Sequence, residues 1–171
     1  MNSFKSEDIN NISLNPFTKI GKDWFALTAG DDKKVNTMTA AWGSMGVMWG
    51  KNVVFVVVRD SRYTKEFIDA CDTFSLTFFD MENDDNRKLL QYLGRTSGRD
   101  EDKIAKAGLN VNYQDNTPYI AEGNMALICR KMYCGPMPAD CFTDSEIDAK
   151  WYADKDYHNL YIGEITDYLT K

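Results

Sequence analysis

The chain has 171 residues, 43% hydrophobic and 27% charged, with a formal net charge of −6. That length suffices for one domain with a substantial core, and the composition is ordinary for a soluble globular protein. The acidic balance argues against a general nucleic-acid or anionic-membrane surface, although a few arginines in a cleft still allow a local anion site.

The first residues, MNSFKSEDINNISLNPF, contain no apolar signal region, and a cytoplasmic location is expected. In chain order, DWFALTAG from Asp23 and KVNTMTAAWG from Lys34 read as strands, and GDDKK between them as a hairpin turn. NVVFVVVRD from Asn52 is a third strand. YTKEFIDAC then reads as a helix with Thr64 as its N-cap and Phe67, Ile68 and Cys71 on one face. DTFSLTFF from Asp72 is a strand, and DMENDDNRKLLQYLG a helix with acids at its start and Gly94 as its stop. DEDKIAKAG and DSEIDAKWY are short helices, while GNMALICRKMYC from Gly123 and YHNLYIGEITDYL from Tyr157 are strands. No repeat, low-complexity tract or linker interrupts them. One domain over residues 1–171 is expected, mainly antiparallel β with helices inserted between strands.

The run VVFVVV is too short to cross a bilayer, and it does not alternate as a half-solvated strand would, so both of its faces should be covered. With few helices to serve, a second copy of the chain is the natural cover, and a homodimer is expected. The four cysteines (Cys71, Cys129, Cys134, Cys141) lack a zinc-finger spacing and read as free thiols.

Familiar catalytic patterns are missing. A single histidine, His158, rules out HExxH and clusters of His ligands, and there is no GxGxxG, phosphate loop or GxSxG elbow. Any redox chemistry must come from a bound cofactor. Three segments carry donors suited to an anionic, planar ligand. In RDSRYTKEF, two arginines and two hydroxyls lead from a strand into a helix start, where free N–H groups suit a phosphate; a capped helix with solvated arginines is the plain alternative. In NTMTAAW, small residues let a flat ligand approach the backbone, but a threonine-rich polar strand face reads the same way. In RTSGRDEDK, a Ser-Gly turn precedes a helix near Lys103 and two arginines; a solvated loop would look alike.

Taken together, NTMTAAWG, VVFVVVRDSRYTKEFI, TFSLTFF, TSGRDEDKIAKAGL and HNLYIGEI resemble, in order and spacing, the flavin reductase-like family of FMN-binding split β-barrels, particularly its flavoredoxin-like branch. The resemblance implies a Greek-key antiparallel split barrel that binds FMN. It implies that Asn36, Met38, Thr39, Ala40, Ala41 and Trp42 frame the ring and ribityl chain. Arg59, Ser61, Arg62, Tyr63 and Thr64 would form the phosphate end, and Ser97, Gly98 and Lys103 would complete the pocket. His158 would lie near the flavin edge and assist hydride or proton traffic, or else be a partly buried histidine bonded to its neighbours. MGVMWGKN lacks the proline that relatives often carry before the long strand, and Trp42 and Trp49 suit either a flavin cover or an interface.

The activity implied first is an NAD(P)H-dependent flavin reductase, with NADH or NADPH delivering a hydride to FMN N5 for an unknown acceptor. An FMN electron carrier reduced by a partner protein comes next, and a non-catalytic barrel last. No nucleic-acid, membrane or metal partner is implied.

Overall fold

A computed structural model describes residues 3–171. Its strands are β1 (Lys5–Glu7), β2 (Phe25–Gly30), β3 (Val35–Ala40), β4 (Gly43–Met48), β5 (Lys51–Arg59), β6 (Thr73–Phe78), β7 (Val111–Gln114), β8 (Thr117–Ile120), β9 (Met125–Pro136) and β10 (His158–Thr170). The helices are α1 (Pro16–Thr18), α2 (Tyr63–Ala70), α3 (Asp84–Arg95), α4 (Lys103–Lys106) and α5 (Ser145–Trp151).

Antiparallel ladders join the main sheet in the order β3-β2-β6-β9-β10-β5-β4, with β1 added along β10. β3 and β4 form opposite edges of this sheet, yet only Ala41 and Trp42 separate them in the chain. Two residues span a few ångströms, so the sheet must curl until its edges meet. The edges are not hydrogen-bonded to each other, which leaves a split in the barrel at Ala41–Trp42.

The barrel interior is filled by Phe25, Leu27, Val54, Val56, Val58, Phe74, Leu76, Phe78, Leu127, Cys129 and Tyr161, all at most 1% exposed. Apolar residues at every second position of β5 thus point inward. Gly163 in β10 has a packing reason. A Cβ there would lie 2.5 Å from the Phe74 ring, so only glycine lets that ring sit against the β10 backbone. Outside the barrel, Leu90 and Leu93 of α3 pack with Ala26, Phe79 and Ile120. This contact, with the bond from Thr39 Oγ1 to the Leu90 carbonyl (2.5 Å), sets the C-terminal end of α3 beside β3.

Each of the six strands and four helices expected from the sequence appears, with shifted ends. The second strand stops at Ala40, and the small residues after it form a separate strand, β4. The β7–β8 hairpin is additional; Asp115 and Asn116 at its turn both have positive φ (47° and 62°), the geometry of a two-residue hairpin. Thr64 does not cap α2: Arg62 occupies the N-cap position, without a side-chain cap bond. The Thr64 hydroxyl is engaged elsewhere, accepting from Asn36 Nδ2 at 2.9 Å. On the outward side of β5, Val53 is buried and Phe55 and Val57 are half-buried.

Candidate functional site

Two adjoining clefts follow β3 past the split. The larger, 210 Å³, is lined by Met38, Thr39, Ala40, Ala41 and Trp42 together with Val57, Arg59, Arg62, Trp151 and His158. The smaller, 100 Å³, lies between β3, the start of α2 and the end of α3. Its walls include Asn36, Ser61, Tyr63, Thr64, Ser97, Gly98 and Lys103. Met38 and Arg62 belong to both. The structure therefore brings every candidate residue into one continuous groove with an apolar end and a cationic end.

The cationic end is built around helix termini. The Arg62 guanidinium donates to the Gly94 carbonyl at 3.0 Å. The Lys103 ammonium donates to the carbonyls of Leu93 (2.8 Å) and Thr96 (2.9 Å). Both cations thus satisfy free carbonyls at the C-terminus of α3. Each has donors left over, since an ammonium carries three N–H groups and a guanidinium five. Neither has a carboxylate partner among the described residues. Burial, reinforced by the neighbouring Arg62 charge, pushes Lys103 down to about 8. The α2 N-terminus enters the same chamber without a side-chain cap. Uncapped helix amides beside two unpaired cations fit a phosphate group.

Gly98 closes this end. A Cβ on it would lie 2.2 Å from Asn36 Oδ1 and 3.1 Å from the Tyr63 ring, so the Ser97–Gly98 turn fits against β3 only as glycine. Ser61 lines the chamber but is held from outside, its amide and hydroxyl both donating to Asp156 (3.1 and 2.6 Å).

Arg59 departs from its expected place. It lines the larger cleft rather than the phosphate-sized chamber, because it lies on the same face of β5 as Val57. Its guanidinium donates to the carbonyls of Trp151 (2.7 Å) and Asp156 (3.1 Å) and pairs with Asp154 (3.3 Å). It thereby ties the 137–157 excursion to the barrel.

At the apolar end, Trp42 meets Trp151 edge to face with centroids 5.0 Å apart and lies 5.2 Å from the His158 ring. His158 is 8% exposed, and its Nδ1 shares a 2.8 Å hydrogen bond with the Tyr152 hydroxyl. Burial first, then Arg59, lowers its imidazole to about 4, so the ring is neutral at pH 7. The sequence reading missed Trp151 and Tyr152. Trp151 is the last residue of α5 and Tyr152 its C-cap, and the tertiary tether from Arg59 to the Trp151 carbonyl holds them beside the cleft and His158; their aromatic character was the one available signal.

Residues 21–171 match the flavin reductase like domain family. No match was found among curated proteins. Among solved structures, the flavoredoxin from Methanosarcina acetivorans superposes with a TM-score of 0.67 at 24% identity, covering 98% of this chain and 75% of that one. The FMN-binding domain of a flavin reductases-like enzyme from Shewanella baltica gives 0.67 at 16% identity, with 99% and 78% covered. The flavoredoxin of Desulfovibrio vulgaris gives 0.66 at 20% identity, with 98% and 76% covered. These likenesses carry the split-barrel fold, and the family match covers most of the chain, so the chain belongs to the flavin reductase-like family.

Proposed function

We propose that the protein is an FMN-dependent oxidoreductase that accepts reducing equivalents from NADH or NADPH. The observation that carries this reading is the pairing of a ring-sized apolar cleft with a small cationic chamber that has no carboxylate of its own. FMN, when bound, supplies the ring that takes up a hydride and passes electrons to an acceptor.

Around that ring, Met38, Thr39, Ala40, Ala41 and Trp42 form the wall, and the small side chains of Thr39, Ala40 and Ala41 admit a flat group. Arg62, Lys103 and the α2 amides hold the phosphate, with Asn36, Tyr63, Thr64, Ser97 and Gly98 shaping the chamber. Arg59 and Ser61 act from behind by fixing the 151–156 segment. His158, neutral and bonded to Tyr152, is a positioning group rather than a store of protons.

One observation favours a second reading, an electron carrier of the flavoredoxin type. At 210 Å³ the cleft lies below the roughly 300–1,000 Å³ of typical small-molecule sites, leaving little room for a nicotinamide beside a flavin. Anaerobic titration of the FMN-loaded protein separates the two. Bleaching of the flavin band by NADH or NADPH alone supports the reductase. Reduction by dithionite but not by either nicotinamide refutes it in favour of the carrier.

The protein works as a homodimer in this reading. β4 is an edge strand with exposed apolar residues (Val47 72%, Met48 36%), and Trp49 beside it is 56% exposed. An uncovered edge of this kind invites pairing. A monomeric mass that persists at high concentration in light scattering would refute the dimer.

A further inference from the structure

Trp151 differs from the rest of the wall around the larger cleft. Every other residue there stands on a barrel strand or within three residues of one, whereas Trp151 comes from the excursion between β9 and β10. It ends α5, a helix that buries none of its own residues and so does little to hold the indole.

The backbone at Trp151 is nevertheless fixed. Its carbonyl accepts from the Arg59 guanidinium at 2.7 Å. The next residue, Tyr152, is 3% exposed, shares a hydrogen bond with His158 Nδ1 and stacks on Tyr157 with centroids 4.9 Å apart. The side chain is held differently. Trp151 is 46% exposed, and among the described residues its ring meets the Trp42 ring edge to face at 5.0 Å and the Lys150 ammonium at 5.3 Å. An indole on an anchored main chain, half in solvent, exchanges between staggered rotamers without moving the chain that carries it.

We propose that Trp151 is the specificity-determining residue for the second reactant. With its indole against Trp42 the cleft takes one flat ring system, and with the indole turned to solvent it takes a dihydronicotinamide ring as well. The inference rests on the flavin reading above and deepens it. The 210 Å³ present with the indole in place falls below the roughly 300–1,000 Å³ of ordinary small-molecule sites, and tryptophan is the largest side chain that could leave the wall. Opening costs the edge-to-face contact with Trp42, and a ligand that needs the open form is weakened by the fraction of molecules that are open. The phosphate end takes no part, because Trp151 borders only the larger cleft.

The test compares Trp151→Ala and Trp151→Phe with the unaltered protein, each loaded with FMN. The probe is tetrahydro-NADH, a nicotinamide that cannot give up a hydride, and its binding is followed by the flavin absorption band. Trp151→Ala is expected to bind the probe about fivefold more tightly, the factor set by removing one edge-to-face pair. Trp151→Phe keeps a ring for Trp42 and should fall between the two. FMN affinity, read from flavin fluorescence, is expected to stay within about threefold, since the phosphate contacts lie elsewhere. Loss of structure weakens binding, so a gain in probe affinity cannot come from misfolding. Probe binding that is unchanged, weaker or absent in Trp151→Ala overturns the gate and leaves the FMN reading standing. A larger loss of FMN affinity would put Trp151 in the flavin's own seat and overturns the gate as well. If the unaltered protein binds no FMN, both readings fail together.

Discussion

Arg62 and Lys103 meet at the C-terminus of one helix, bonding the carbonyls of Gly94 (3.0 Å) and of Leu93 and Thr96 (2.8 and 2.9 Å) without a carboxylate between them. Two cations share a chamber of 100 Å³, and each charge makes the other less comfortable. A phosphate dianion relieves that strain and takes their spare N–H donors. Arg62→Ala is therefore expected to weaken FMN by at least tenfold, corresponding to about 1.5–3 kcal/mol for a charge-assisted contact, while barely changing riboflavin. Equal losses for both flavins in an equilibrium titration would remove Arg62 from the phosphate site.

The same pair gives FMN binding a pH dependence. Without ligand, Lys103 titrates near 8, well below the ordinary lysine value of 10.5. The flavin phosphate, which loses its second proton near pH ~6, favours the charged ammonium. Below about 8 Lys103 is already charged and binding is at full strength; above it, binding must first draw a proton onto the amine. The ratio of FMN to riboflavin affinity should hold from pH 7 to 8 and fall from 8 to 9.5. Folding moves the opposite way. The unfolded chain holds this proton up to 10.5 and the folded chain only to about 8, so this group's contribution to stability rises with pH across that window. An affinity ratio that stays flat to pH 9.5 would contradict a role for the Lys103 charge.

How much of this was legible beforehand depends on how local the signal was. VVFVVVR carried β5 because its composition alone excludes a solvated face, and NTMTA carried β3. GSMGVM did not announce β4: it has two glycines and no alternation, and it forms a strand only because β5 offers it an edge. Thr64 looked like the helix cap by residue type, but its hydroxyl is taken by Asn36, 28 residues away in sequence, which no local rule reports. Arg59 and Arg62 looked equivalent, and strand alternation separates them. Arg59 follows Val57 into the wall of the larger cleft, whereas Arg62 lies beyond the strand end and turns toward α3. Trp151 reached the cleft through a tertiary tether, and its place could not be read from its own segment.

Gly98→Ala is a steric test of how the smaller chamber closes. The added methyl would sit 2.2 Å from Asn36 Oδ1, so either Asn36 gives up its bond to Thr64 or the Ser97–Gly98 turn lifts off β3. Overpacking of this kind costs about 1–3 kcal/mol. A lower melting temperature together with weaker FMN binding is expected. A variant with native stability and native FMN affinity would mean that the turn is not part of the chamber wall.

His158 is the only histidine, so its imidazole gives a single, assignable titration in proton NMR. Burial and the nearby Arg59 lower it to about 4, and the Tyr152 hydroxyl bonds its Nδ1. Its ring resonances should therefore not move between pH 7 and 5.5, and should shift only near 4. The sign for stability follows from proton counting. The unfolded histidine binds its proton near 6.5 and the folded one near 4, so this group's contribution is full above 6.5 and is lost as the pH falls through that window. Tyr152→Phe removes the bond at Nδ1 while keeping the ring, and should change the imidazole chemical shifts without unfolding the barrel. If His158 instead titrates near 6.5 in the folded protein, the imidazole is reached by solvent and becomes available to carry a proton at the cleft, and the positioning role assigned to it falls.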